Sequence, residues 1–198
     1  MKSKYGKSLR WLHFGILFIL LHSCLSAVED EKDKKLKNAI AHLIEGTDPE
    51  VVRQNLYFLE RQGADAFAVL VEAINDNRNA AGSLQEAKVI KQEYGNGRKL
   101  YITQVGDVAL SLIRSRIEGN RSRFYHSYYV LSRTNIKQWL AERSGNTLTE
   151  LRVDAAKQAF ELVKKTYPNS RIDEEIRTIS IFQNRIARIE AGASPDMK

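Results

Sequence analysis

Large apolar residues recur at helical spacing near the end of the chain, at steps of three and four: Ile172, Ile176, Ile179, Phe182, Ile186 and Ile189. This spacing places all six on one face of a helix that we predict over about residues 170–191. A narrow apolar seam of this kind either packs inside a monomer or joins two copies of a chain. We expect burial within the monomer, with a homodimer through this helix as the alternative.

The same period predicts helices elsewhere. One stripe of apolar residues begins at Leu36. Another runs from Val105 to Ile113, in a helix that we expect to end at Gly119. A short helix is expected over residues 135–143. Thr147, with a glutamate three residues later, has the pattern of a capping box and opens a longer helix that ends before Pro168. We therefore predict an all-α fold, with residues 36–198 as a single helical domain.

Residues 47–77 contain the clearest start and stop signals: TDPEVVRQNLYFLERQGADAFAVLVEAIND. Asp48 is placed to cap a helix, and Pro49 follows at the first helical position, where its missing N–H costs nothing. Gly63 ends that helix, and Asp65 is placed to cap a second one. Two short amphipathic helices joined in this way have one apolar side that must stack on a similar unit.

This unit resembles a HEAT or armadillo-type repeat. The similarity lies in a DPEVR-like opening, a turn centred on glycine and a second helix of the form A-x-x-x-L-x-x-A-I. The matching residues are Asp48, Pro49, Glu50, Val51, Arg53, Leu59, Gly63, Ala64, Leu70 and Ile74. We find no second clear copy at a period of about 40 residues. The resemblance implies a short stacked array of antiparallel helical hairpins and a binding scaffold, not a reaction.

An insertion near residues 77–104 separates these helices from the next. It is rich in turn-forming residues and includes Gly95-Asn96-Gly97, a strong turn signal. The flanking segments VIKQEY and KLYIT are suited to pair as a small β-hairpin, and an irregular loop is the alternative. A connection of this length inside a compact helical domain is often functional.

The first 27 residues read as a secretory signal peptide. Lys2, Lys4, Lys7 and Arg10 precede an apolar core at residues 11–21, which is too short to span a bilayer. We therefore expect an exported protein, followed at residues 28–35 by a charged, solvated linker. Removing four basic residues with the leader lowers the formal net charge from +7 to +3. The high net charge of the whole chain is thus poor support for a nucleic-acid partner, and we expect none.

Cys24 is the single cysteine and allows two forms of processing. Leu21-His22-Ser23-Cys24 resembles the lipobox of bacterial lipoproteins, in which the cysteine is acylated and becomes the mature N-terminus. His22 departs from the small or aliphatic residue usual at that position. We favour ordinary cleavage after Ser26 or Ala27, with lipid attachment at Cys24 or an uncleaved anchor as alternatives. In each case the domain has no cysteine for disulfides, thiol chemistry or zinc.

Catalytic motifs are absent from the sequence. His42 and His126 are the histidines beyond the leader, and neither lies in a metal-binding pattern. There is no nucleophile elbow, phosphate-binding loop or dinucleotide fingerprint. We predict a non-enzymatic protein without a cofactor or metal. The alternative is an envelope hydrolase whose carboxylates come from distant positions, for which Glu93, inside the insertion, and Glu118, beyond it, are candidates.

Residues 114–133 combine arginine and aromatic side chains in the sequence RSRIEGNRSRFYHSYYVLSR. Arginine and tyrosine are favoured at recognition surfaces, and a basic segment attracts an anionic partner. The alternative is that the aromatic residues fill the core while the arginines are solvated. We predict a binding surface that recognises an envelope protein or an anionic envelope polymer. Its candidate residues are Arg98, Arg121, Arg123, Tyr125 and Tyr129.

Overall fold

The computed structural model describes residues 31–80, 91–93, 99–101, 104–120, 123–169 and 171–197. The chain divides after Asn38 into two compact units, of which the second comprises Ala39–Lys198. Most of the described residues are helical, which confirms the predicted all-α class. Among them, no helix combines the length and the apolar character needed to cross a bilayer. Cys24 and the leader lie outside the described residues.

Residues 31–45 are helical and are called α1, so residues 31–35 of the segment that we predicted as a linker belong to a helix. Most of these five residues are exposed, in keeping with their charged sequence. The side chains of Glu31 and Lys35 form an ion pair across one turn at 2.8 Å. Such a pair at positions i and i+4 supports a helix without any burial.

Helix α2 (Pro49–Gln62) begins as predicted: the Asp48 side chain accepts a hydrogen bond from the Glu50 N–H. The prediction for the second helix is wrong in one detail. Gly63–Ala66 form a 3₁₀ turn, so α3 (Phe67–Ala73) starts later, with Ala66 and not Asp65 at its N-cap.

Strands β1 (Lys91–Glu93) and β2 (Lys99–Tyr101) pair antiparallel, with Gln92 opposite Leu100. Of the two alternatives for this insertion, the structure contains the small hairpin. An isolated bridge between Asn79 and Gln104 closes the base of the insertion. Helix α4 (Val105–Ile117) follows directly and packs against α3.

Beyond α4 the chain forms a second 3₁₀ turn (Arg123–Tyr128) and a short helix α5 (Ile136–Ala141). Helix α6 (Leu148–Thr166) opens on the predicted capping box, in which Thr147 and Glu150 bond reciprocally. Helix α7 (Asp173–Glu190) packs along α6. A core cluster lies between these elements and consists of Tyr128, Ala159, Val163, Phe182 and Met197.

The apolar seam of α7 is only partly covered. Phe182 and Ile189 are buried, whereas Ile172 and Ile176, near the start of the helix, are 60% and 45% exposed. Burial within the monomer therefore accounts for the C-terminal half of the seam. The seam also includes Arg185, three residues after Phe182 and four before Ile189, which is only 4% exposed.

Candidate binding cleft

A cleft of about 520 Å³ lies beside the C-terminal half of α7. Three parts of the chain supply its walls: the second 3₁₀ turn, α7 and the segment that follows α7. The lining residues are Tyr125, Ile181, Arg185, Arg188, Ser194, Asp196 and Met197. We call this feature the C-terminal cleft. Its lining combines aromatic and aliphatic groups with two guanidinium groups and one carboxylate.

The aromatic wall is held by edge-to-face packing. The ring of Tyr125 lies 5.5 Å from that of Phe182 at an interplanar angle of 79°, and Tyr128 packs on the same ring at 5.3 Å and 72°. Because Phe182 is fully buried, these contacts fix the 3₁₀ turn against α7. Tyr125 stays half-buried and can therefore contact a ligand.

Arg185 forms the floor of the cleft and donates to two backbone carbonyls. Its Nη2 donates to the Glu118 carbonyl at 2.5 Å and to the Pro195 carbonyl at 3.0 Å, and its Nε also donates to Pro195, at 3.2 Å. The bond to Glu118 reaches the C-cap of α4, where a helix leaves carbonyls without internal partners. Arg185 thus joins α4, α7 and the chain after α7 and places a buried positive charge below the cleft.

The segment after α7 is secured by hydrogen bonds to Asn120. The Met197 N–H donates to the Asn120 carbonyl at 2.8 Å, and the Asn120 N–H donates to Asp196 Oδ1 at 2.7 Å. Ser194 donates its hydroxyl proton to Asp196 Oδ2 at 3.0 Å. These bonds hold residues 194–197 in place as one wall of the cleft.

Gly119 is required for that arrangement. It has a φ of +69°, and a Cβ built on it would lie 2.3 Å from the carbonyl carbon and oxygen of Pro195. Only glycine combines this left-handed conformation with so close an approach of another backbone. The predicted end of α4 at Gly119 is therefore confirmed, and the same residue also seats the C-terminal segment.

Several arginines of the basic segment serve the fold rather than the surface. Arg133 Nε donates a hydrogen bond to the Ile74 carbonyl, at the C-cap of α3, at 3.0 Å. Arg116 Nη2 donates a hydrogen bond to the Glu60 carbonyl in the last turn of α2. Arg114 donates through Nε to the Leu131 carbonyl at 2.8 Å. The alternative in which the arginines of this segment are solvated is therefore wrong at these positions. For Arg116 and Arg133 the acceptors are carbonyls at helix ends, which have no partner within their own helix.

The five predicted binding residues have different outcomes. Tyr125 lines the cleft. Tyr129 is not among its lining residues: the Arg114 guanidinium carbon lies 4.7 Å from its ring centroid, and its hydroxyl donates to the Gly119 carbonyl at 3.4 Å. Arg98 and Arg121 lie outside the described residues, and Arg123 is described only through its backbone in the second 3₁₀ turn. These three remain predictions.

The carboxylate of Glu118 is fully buried. Its two oxygens accept from the Val130 N–H at 2.7 Å and the Leu131 N–H at 3.1 Å, so it organises the chain before α5. This carboxylate, the candidate acid beyond the insertion, therefore has a structural role in the described chain. In the part of the chain that the structure describes, no cluster of three histidine, cysteine or acidic side chains is placed to hold a metal.

Next to the cleft, burial raises the pKa of Tyr128 to about 12, and its contact with Tyr167 contributes in the same direction. The two hydroxyl oxygens are 3.1 Å apart. Desolvation penalises the phenolate, so Tyr128 stays neutral throughout the ordinary pH range. The electrostatic character of the cleft is therefore set by Arg185, Arg188 and Asp196.

Sequence reasoning missed Arg185, Arg188 and Asp196. A signal existed for Arg185, since it occupies a position of the apolar seam between Phe182 and Ile189. An arginine on a buried face needs acceptors and therefore indicates a structural or binding role. No local pattern singles out Asp196. Comparisons with protein-family models, curated proteins and solved structures found no match to this chain.

Proposed function

We propose that the protein is an exported, non-enzymatic helical scaffold that binds an envelope protein or an anionic envelope polymer. The observation that supports this most is the C-terminal cleft. Its volume of about 520 Å³ lies within the roughly 300–1,000 Å³ typical of ligand sites. Export follows from the leader in the sequence.

The chemistry of the cleft suits recognition. Arg188 is exposed on a helix that is anchored by buried neighbours, so its guanidinium is available to an anionic group. Arg185, directly below, adds a positive charge in a region of low dielectric, where its field is less screened than at the surface. Tyr125 supplies a rigid aromatic contact area.

The stacking of the helices as a HEAT-like array is part of the same proposal. In a HEAT-like array, α6 and α7, which pack along each other, would be one hairpin, and α2 and α3, which are joined by the first 3₁₀ turn, would be another. Helix α4 packs against both α3 and α6. Stacked helical hairpins create extended binding surfaces and carry no reaction of their own. An array of this kind is consistent with a scaffold.

A pull-down from envelope extract with the chain from Val28 onward as bait tests the proposal. Partners are identified by mass spectrometry, and the baits are the wild type, Arg188→Ala and Arg177→Ala. Both arginines are exposed on α7, but only Arg188 lines the cleft. We expect partner recovery to fall for Arg188→Ala and to remain for Arg177→Ala, and to decrease with salt. Equal recovery with both variants would contradict a role for the cleft.

A further inference from the structure

We infer that the C-terminal cleft binds a single carboxylate attached directly to an apolar group, such as the C-terminal residue of a partner protein. This inference rests on the proposed function and narrows the ligand. It begins from the charges that line the cleft: the guanidinium groups of Arg185 and Arg188 and the carboxylate of Asp196. Two positive charges and one negative leave an excess of one positive charge, which a monoanion neutralises.

The two guanidinium groups have different tasks. Arg185 is held by the Glu118 and Pro195 carbonyls, so it contributes a fixed field to the cleft. Arg188 is exposed and is the lining residue whose charged group can reach a ligand directly. A guanidinium presents paired N–H donors in a fork that matches the two oxygens of a carboxylate. One anionic group at Arg188 therefore fits the arrangement better than a row of charges.

Asp196 limits how much negative charge the cleft accepts. Its oxygens take hydrogen bonds from the Asn120 N–H at 2.7 Å and the Ser194 hydroxyl at 3.0 Å, which hold this carboxylate in position beside the cleft. A polyanion would place further charges close to this carboxylate. Like charges at close range are unfavourable, so Asp196 discriminates against densely charged polymers.

Three further lining residues provide apolar surface. Tyr125, Ile181 and Met197 offer an aromatic ring, an aliphatic side chain and a thioether on the same cleft. A small inorganic anion would leave this surface uncovered, whereas an apolar side chain beside the carboxylate would bury it. A chain terminus with an apolar last residue and a free hydrophobic acid share this chemistry.

Titrations followed by the amide resonances of residues 181–197 test the inference. The probes are the peptide acetyl-Gly-Ala-Leu with a free carboxylate, the same peptide as its C-terminal amide, octanoate and polyglutamate. We expect the free peptide to bind at least tenfold more tightly than its amide, and polyglutamate to bind no better than the amide. Comparable binding of octanoate would identify a free hydrophobic acid as the source of the same chemistry.

Substitutions on α7 test whether the free peptide binds in the C-terminal cleft. Arg188→Ala should weaken binding of the free peptide at least tenfold, Arg188→Lys should restore part of it, and Arg177→Ala should leave it unchanged. Equal binding of acid and amide, or tighter binding of polyglutamate, would overturn the inference. If none of the probes binds while Arg188→Ala still lowers recovery of the envelope partner, the ligand class is wrong and the proposed function stands. If Arg188→Ala changes neither the binding of the peptide nor the recovery of the envelope partner, both this inference and the proposed function are wrong.

Discussion

Arg185 Nη2 lies 2.5 Å from the carbonyl oxygen of Glu118, so a buried guanidinium on the last helix provides a donor for the end of α4. The two residues are separated by 67 positions in the sequence. The same guanidinium bonds to Pro195 and fixes the segment that completes the cleft. The end of one helix and the wall of the candidate site therefore depend on one side chain.

Arg185→Leu should destabilise the protein, because the buried carbonyls of Glu118 and Pro195 would lose their donor. Leaving a buried polar group without a partner costs about 1–3 kcal/mol. Urea unfolding measures the change. Arg177→Leu is the control, since this exposed arginine should cost no more than about 0.5 kcal/mol. Equal stability of the two variants would mean that the bonds of Arg185 contribute nothing.

Gly119→Ala should release residues 194–197 from their seat. The left-handed backbone conformation alone costs an alanine roughly 1–2 kcal/mol. At Gly119 the new Cβ would also collide with the backbone of Pro195. Gly145→Ala provides the comparison, because Gly145 has a φ of +91° with nothing within 4 Å of its Cβ position.

We therefore expect a larger loss of unfolding free energy at Gly119 than at Gly145, together with faster hydrogen exchange at the Met197 amide. That amide is bonded to the Asn120 carbonyl in the native chain. Unchanged exchange at Met197 in Gly119→Ala would show that the segment is seated by other contacts.

The stability of the protein should fall at high pH because of Tyr128. Burial raises the pKa of this tyrosine to about 12. The contribution of this residue is fully present below the ordinary tyrosine pKa of about 10. Between about pH 10 and pH 12 the unfolded state ionises while the folded state keeps its proton, so the free energy of unfolding decreases. A difference of about two pKa units corresponds to roughly 2–3 kcal/mol.

Tyr128→Phe isolates this effect from the other tyrosines. The variant should lose stability less steeply than the wild type between pH 9 and pH 12 in urea unfolding experiments. The hydroxyl bond between Tyr128 and Tyr167 is also removed, which lowers stability near neutral pH by about 1 kcal/mol. Parallel pH profiles for the two proteins would be inconsistent with a buried, protonated Tyr128.

The position at which the leader is cleaved determines the first residue of the mature protein. If ordinary cleavage occurs after Ser26 or Ala27, sequencing of the exported protein should begin at Ala27 or Val28. Growth with a labelled fatty acid should then leave the protein unlabelled. Incorporation of label that Cys24→Ala abolishes, with release of the protein from membranes, would instead support the lipid-anchored form.

Helix boundaries could be predicted where the signal is local. At α2, Asp48 accepts a hydrogen bond from the Glu50 N–H, and Pro49 has no N–H that needs a partner. At α6, the side chains of Thr147 and Glu150 each accept from the backbone N–H of the other. Such contacts span a few residues and are therefore visible in a sequence window. The prediction of Asp65 as the N-cap of α3 was wrong because the chain forms a 3₁₀ turn before this helix. The helix begins where Ala66 and Phe67 are buried in tertiary contacts.

The site was harder to predict because its residues meet through tertiary contacts. Arg116 and Arg133 looked like surface residues from composition, yet they serve helix ends that lie 56 and 59 residues away in the sequence. Asn120 and Asp196 meet across 76 residues. Neither hydrophobic period nor turn chemistry encodes such pairs. Tyr125 is the residue that composition and structure both place at a candidate binding surface.

Site-specific photocrosslinking in the producing cell tests whether the cleft binds a partner. Tyr125 is replaced by p-benzoylphenylalanine, and in a control protein Tyr57, which is 45% exposed on α2, is replaced in the same way. We predict a discrete envelope adduct from position 125, none from position 57, and a weaker adduct at position 125 when Arg188→Ala is added. Absence of an adduct at position 125, or equal adducts from both positions, would contradict binding through the cleft.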